Sequence, residues 1–274
     1  MFEALKYSFM RYALLACVLG GATCGLIGVF VITMKVPFIG VAMSHAAFAG
    51  AIFGILFHLN PVLSGIIFCI LCALFIGPIA DKAEVNPNVA MGIIFSVGIG
   101  LAFLGMGLLP GPKTEALNLF WGSILTITKN DIIMMSAVAL VMVMLVLLFF
   151  KEIRAVIFHR EIAASVGIPE KIIFYSLLLG TGVVVTLSLN TIGGLLIFGL
   201  IINPASAAYQ LTYSLKWMYI LSALLSVVSC LVGLAFSYYF NIPCGAIIIV
   251  ISSLIFGASL AFSPKRRTLL KSTA

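Results

Sequence analysis

Apolar residues fill this chain in long blocks, divided by short polar or charged stretches. Blocks of mostly apolar residues lie at roughly 12–34, 38–58, 61–80, 88–109, 132–150, 172–189, 191–210, 218–240 and 244–262. A helix rises about 1.5 Å per residue, so about 20 residues cross a hydrocarbon core of about 30 Å. In lipid every backbone polar group must be satisfied internally, which a helix does within its own segment. The pattern therefore predicts an all-α integral membrane protein of about eight transmembrane helices, eight or nine by count. The block at 191–210 is the least regular. It opens on Gly193-Gly194 and carries Asn203-Pro204, and proline removes a helix hydrogen bond and kinks or breaks the helix.

One long stretch, 151–171, breaks the pattern. Its sequence KEIRAVIFHREIAASVGIPEK is too polar to span and too long for a turn. Ile153, Val156, Ile157, Ile162, Ala163 and Val166 recur at helical spacing, Gly167 ends the run, and Pro169 follows where proline commonly sits past a helix end. This predicts a short amphipathic helix. Two readings stand: docking into a groove on another protein, or lying on the lipid surface.

Composition agrees with the bilayer as solvent. The 274 residues are 63% hydrophobic and 8% charged, against about 25% charged in ordinary soluble domains. The net charge of +7 sits in short clusters between apolar blocks with no aromatic-basic face, which excludes nucleic acid as the partner. Basic residues concentrate in cytoplasmic loops. The tail at 263–274, with Lys265, Arg266, Arg267 and Lys271, is therefore placed in the cytoplasm. Counting back puts Lys216, the 151–171 segment, Lys82 and Lys35 on the same side. A turn at Asn190 and the loop 110–131 are then external. Lys6, Arg11, Lys113 and Lys129 fall outside, unless segment 2–14 lies flat with Phe2, Leu5, Phe9 and Tyr12 toward lipid. The whole chain, 1–274, reads as a single transmembrane domain.

The chemistry available inside the membrane is sparse. All eight acidic residues fall in loops or at block ends, which argues against an ion-coupled carrier, since such carriers commonly hold ionisable groups at depth. Six cysteines lie in or beside apolar blocks and read as small apolar filler. Gly21, Gly25 and Gly28, and Gly50 and Gly54, form small faces for close helix packing. Gly98, Gly100, Gly105 and Gly107 point weakly to a mobile element. His45 is the histidine within a span. It is either a ligand for a metal or substrate, or a group hydrogen-bonded to a neighbouring helix carbonyl. His58, before Asn60-Pro61, reads as a helix-end residue. Gly111-Pro112-Lys113-Thr114 lacks the glycine before lysine that a phosphate loop needs. No nucleotide or catalytic site is therefore expected, and any ATP would bind another chain.

Several motifs carry a resemblance. Glu161-Ile162-Ala163-Ala164-Ser165-Val166-Gly167 is similar to the coupling segment of ABC import permeases. Lys35-Val36-Pro37-Phe38-Ile39-Gly40 followed by Ser44-His45-Ala46 resembles the second segment of the zinc/manganese ABC permease family in particular. Gly193-Gly194 leading to Asn203-Pro204 resembles that family's broken segment, and Asn241-Ile242-Pro243-Cys244 its final turn. The resemblance implies a fold like that of type II ABC importers and a permease subunit moving zinc, manganese or iron. It implies a homodimer, cytoplasmic ATPase subunits that bind the ATP, an extracytoplasmic solute-binding protein, and a multi-pass position in the plasma (inner) membrane. It places Ser44, His45 and Asn203 on the substrate pathway, with His45 as metal ligand. Glu161, Ala163, Ala164 and Gly167 become ATPase-coupling residues, and no cofactor is expected in this chain. The chain departs from the family at Val41, where an acid is usual, at Ser96 and Ser123, where zinc-type members often show His and Asp, and at His159-Arg160 in place of Asp-Pro. These departures leave a metal chelate or another small solute as an alternative cargo, with an ion-coupled secondary carrier behind it.

Overall fold

The computed structural model describes residues 7–82, 86–122, 127–194 and 197–265. Among the described residues the secondary structure is helical: α1 (Ser8–Thr33), α2 (Phe38–Leu56), α3 (Pro61–Lys82), α4 (Pro87–Leu108), α5 (Thr114–Trp121), α6 (Lys129–Leu148), α7 (Phe150–Phe158), α8 (Arg160–Ser165), α9 (Glu170–Ile192), α10 (Ile197–Leu211), α11 (Leu215–Phe240) and α12 (Cys244–Ala261). Of these, α1, α2, α4, α6, α9, α11 and α12 are long and apolar enough to cross a membrane. The apolar part of α3, Pro61–Ile76, and α10 are shorter. At 15 residues, α10 is about 22 Å long and falls short of a full crossing.

Local sequence sets the helix starts. Asn60 Oδ1 accepts from the backbone N–H of Val62 and Leu63 as α3 begins. Asn86 Oδ1 accepts from Asn88 N–H ahead of α4, with Pro87 in its first turn. Thr128 and Asp131 form a capping box that opens α6. Each device satisfies backbone donors that the first helical turn cannot pair.

Packing divides the helices into a centre and a wall. The apolar windows of α1, α2 and α9 are mostly buried, whereas only 22% of that of α12 is. α1 lies against α6, α9, α10 and α11, and α2 lies against α3, α4, α9 and α10. The expected glycine faces explain how closely these helices approach. A Cβ on Gly25 would stand 2.6 Å from the Ser222 carbonyl oxygen of α11, and one on Gly28 only 2.0 Å from that of Ile201 of α10. Ser222 Oγ in turn donates to the Gly25 carbonyl at 2.6 Å. Gly50 and Gly54 meet Ser64 of α3 in the same way. On α4, Gly98 and Gly105 seat against α2, while Gly92, Gly100 and Gly107 face open space.

Four expectations change. α1 continues without a break from Ser8, so residues 8–14 extend a crossing helix rather than lying flat; Phe2 and Leu5 are outside the described residues. No turn occurs at Asn190, because α9 runs on to Ile192. The interruption falls at Gly193-Gly194, where Gly193 adopts φ +93, and α10 passes through Pro204 as helix. The loop 110–131 contains α5. His58 ends α2 in the left-handed region at φ 56, exposed, as a helix-end residue.

Contacts between connecting segments group them on common sides. Asn88 Nδ2 donates to the Lys35 carbonyl at 3.1 Å, which brings the start of α4 to the α1–α2 turn. Ser263 Oγ bonds Gln210, and Lys265 Nζ sits 3.5 Å from the ring centroid of Tyr209. The start of the tail therefore lies with the α10–α11 turn.

Candidate functional site

Around His45 the site is built from α2 and α4. His45 is 7% exposed, and its ring stands edge-on to Phe95 of α4, centroids 4.7 Å apart at 88°. Gly98 packs on the same stretch of α2: a Cβ there would meet His45 at 3.4 to 3.5 Å, an ordinary van der Waals contact. Nδ1 lies 3.0 Å from the Val41 carbonyl oxygen, one turn back in the same helix. A carbonyl only accepts, so the neutral ring carries its proton on Nδ1 and presents its lone pair on Nε2. The two sequence readings meet here. The ring is hydrogen-bonded, to its own helix rather than a neighbour, and that bond leaves the second nitrogen free in the tautomer that binds cations. Ser44 is fully buried and its Oγ donates to the Gly40 carbonyl at 2.7 Å. Val41, half-buried, occupies the position one turn before His45 on the same face.

The middle of α2 is covered by an element that the sequence reading missed. α5 places Phe120 against Phe48 at 5.3 Å and Phe103 at 6.5 Å, three residues beyond His45. The α9–α10 interruption closes on the same helix. Gly194 N–H donates to the Leu119 carbonyl at 3.1 Å, and a Cβ on Gly193 would stand 2.5 Å from the Trp121 backbone. Only glycine combines that contact with φ +93. The signal for α5 was present in the i, i+3, i+4 spacing of Ala116, Leu119 and Phe120.

Asn203 stands apart from this group. Its Nδ2 donates to Ser252 Oγ at 3.0 Å and Ser253 Oγ at 2.9 Å, tying α10 to α12. Ser96 is exposed on α4 and bonds the Gly92 carbonyl; Ser123 is outside the described residues. Among the described residues no three of His, Cys, Asp and Glu gather into a group able to hold a metal ion. The cysteines are free, and Cys69 Sγ lies 3.5 Å from both the Met43 carbonyl and Thr186 Oγ1, a packed thiol with weak polar contacts.

The 151–171 segment is two helices, not one. His159, at φ −150 and ψ 86, is extended and separates α7 from α8. The apolar positions divide accordingly. Ile153, Val156 and Ala163 are buried, whereas Phe158, Ile162 and Val166 are exposed. Those three, with Lys151, Arg154 and His159, border a cleft of about 520 Å³. α8 ends as expected at Gly167, with φ +84. Ile168 N–H donates to the Ala163 carbonyl at 3.0 Å and Gly167 N–H to that of Ala164 at 3.1 Å. This pair of bonds is a Schellman motif. Arg160 pairs with Glu170 and lies 4.7 Å from the Phe174 ring centroid, anchoring α8 to the start of α9. Glu161 and Ala164 are exposed beside the cleft.

Comparison with known proteins extends the similarity along the chain. The manganese transport system membrane protein MntC of Listeria monocytogenes is 32% identical over 266 residues, covering 96% of this chain and 93% of that protein. An uncharacterized membrane protein of Synechocystis is 30% identical over 262 residues, with coverages of 96% and 93%. The solved structure of PsaBC from Streptococcus pneumoniae in complex with Fab contains a chain that superposes with a TM-score of 0.89. That chain shares 27% identity, and the match covers 98% of this chain and 97% of the other. The family model for the ABC 3 transport family matches residues 6–263, and with that span of agreement the chain belongs to the ABC 3 transport family.

Proposed function

We propose that this chain is the membrane-spanning permease subunit of an ABC importer for a divalent metal ion, with manganese the first candidate and zinc or iron next. The match to the ABC 3 transport family over residues 6–263 carries this reading, and the manganese transport names of relatives at 29% and 32% identity support the cargo. ATP is hydrolysed on a separate subunit, so this chain is a transport subunit and not itself an enzyme. The ATPase docks on the α7–α8 cleft, where Phe158, Ile162 and Val166 are exposed among basic residues. Glu161, Ala163, Ala164 and the Gly167 cap form the coupling element. A solute-binding protein delivers cargo at the α5 end. Two copies form the pathway, with His45 Nε2 as metal contact and Ser44 and Asn203 along it. The chain crosses the plasma membrane as one transmembrane domain, with its basic tail in the cytoplasm. No cofactor is carried by this chain.

A metal chelate is the second reading. It is favoured by the lone imidazole of His45 in a helix without carboxylates, since hard or borderline cations take carboxylate or imidazole ligands. The deciding experiment reconstitutes the chain with its ATPase and binding protein in liposomes. ATP-dependent uptake of radioactive manganese is then measured with and without excess zinc, iron or a metal chelate. Saturable manganese uptake that a chelate does not compete supports the ion. Uptake of the intact chelate alone would establish the second reading, and no ATP-dependent uptake of either would reject both.

A further inference from the structure

Helix α10 has two unlike faces. Leu200, Ile201, Pro204, Ala207 and Ala208 are buried in the bundle, whereas Asn203, Ser206 and Gln210 are half-buried. Their spacing of three and then four residues sets these polar side chains in one line along a single face. The line starts at mid-depth. Asn203 is held by Ser252 and Ser253. Ser252 stands eight residues after Cys244 and Ser253 eight before Ala261, the two ends of α12, so the contact lies about 12 Å from either end. The line finishes at Gln210, beside Leu211 at the end of α10, where the side chain bonds Ser263 Oγ at 3.0 Å.

The hydrogen bonds decide which way Asn203 points. Ser252 and Ser253 both donate their hydroxyl hydrogen to the Ile249 carbonyl, at 2.8 and 2.9 Å, so each serine oxygen is left only to accept. The amide NH2 of Asn203 therefore faces α12, and its carbonyl oxygen Oδ1 turns away. Oδ1 bonds nothing among the described residues, and it is not enclosed. Ser206 repeats the pattern one turn on. On α4 and α6 the exposed serines Ser96 and Ser136 donate to the carbonyl one turn back, which satisfies a hydroxyl within its own helix. Ser206 makes no such bond, and its oxygen too is open. An amide oxygen and a hydroxyl left unbonded at this depth are costly against hydrocarbon, so their open side is wet.

We propose that this stripe is the inner stretch of the cation path, running from the middle of the membrane to the cytoplasmic side. Asn203 Oδ1 takes the hydrated divalent cation, and Ser206 and Gln210 receive it in turn. Neutral oxygens suit the task. They can replace water around a hard cation, and without a fixed charge they bind it weakly enough to let it leave. The inference rests on the reading of the chain as a metal-ion importer and adds to it the groups that the ion meets beyond His45.

The test reconstitutes the full-length chain with its ATPase and binding protein in liposomes. ATP-dependent manganese uptake per folded chain is measured alongside labelling by a charged methanethiosulfonate reagent. Ser206→Cys should be labelled above the wild-type background, while Leu140→Cys, exposed on the apolar face of α6, should not. Ser206→Ala removes a hydroxyl that holds no structural bond, and should lower uptake by roughly two- to tenfold with melting unchanged. Asn203→Leu keeps the bulk but not the oxygen, and should lower uptake by about tenfold or more with ATPase co-purification retained. A wild type that moves no manganese would bring down the importer reading and this inference with it. With wild-type uptake present, an unlabelled Ser206→Cys overturns the stripe by itself, as does full uptake in both Asn203→Leu and Ser206→Ala. Disulfide formation between Ser206→Cys chains that the charged reagent never reaches would make the stripe a dry contact between two copies and overturn it equally.

Discussion

Gly167 allows a backbone effect to be separated from a packing effect. A Cβ added there meets nothing within 4 Å, so a substitution is resisted only by φ +84. Holding an L-residue in the left-handed region costs about 1–2 kcal/mol, and asparagine visits that region more readily than other residues. The substitution therefore destabilises the capped end of α8 by a factor of roughly 5 to 30. α8 has six residues and little stability of its own. Losing the Ile168–Ala163 and Gly167–Ala164 bonds releases its last turn, and with it the exposed Ile162 and Val166. The order of damage should be asparagine, then alanine, then valine. The assay measures co-purification of the ATPase with each variant and ATP-dependent uptake per folded chain, with membrane yield as the control. Yield should stay constant while coupling falls in that order. Wild-type coupling in Gly167→Val would refute the role of the cap. Equal loss in all three variants would refute the backbone argument, because it would mean that any side chain at the position obstructs docking.

Other expectations follow from the packing and from the histidine. Gly28→Val drives a side chain into the Ile201 carbonyl, 2.0 Å from the new Cβ, and should cost at least about 1–3 kcal/mol, read as a lower melting point; Gly100→Ala, which meets nothing within 4 Å, should be tolerated. His45→Ala should abolish metal uptake with little change in melting, since the ring bonds the Val41 carbonyl of its own helix; lost stability with preserved uptake per folded chain would make His45 structural. Val41→Asp sets a carboxylate one turn from the ring and should shift metal affinity if the cargo is a bare ion, with a metal titration as the check. Lys271→Cys should resist an impermeant thiol reagent in intact cells and react after permeabilisation; labelling of intact cells would invert the proposed orientation.

The sequence by itself determined the helical, membrane-spanning class and most helix positions, because twenty apolar residues in a row leave the backbone no other way to satisfy its hydrogen bonds in lipid. It also determined the end of α8, since a glycine before Ile168-Pro169 is a local signal with a local cause. The glycine faces of α1 and α2 were legible as faces, but not their partners. Nothing in the spacing of Gly25 and Gly28 says that one meets α11 and the other α10, because that choice is made by how whole helices pack. The interruption near 193 shows the same limit. Pro204 looked like the breaking residue, yet its ring is accommodated inside α10, and the chain instead breaks where Gly193 must clear the Trp121 backbone. Asn203 and His45 looked alike as polar residues in apolar blocks. Tertiary structure alone separated them, turning one toward the serines of α12 and leaving the other with a free ring nitrogen beside Phe95. Periodicity reports which way a side chain faces on its own helix, whereas the partner across the interface lies tens to hundreds of residues away along the chain and is fixed only when the helices assemble.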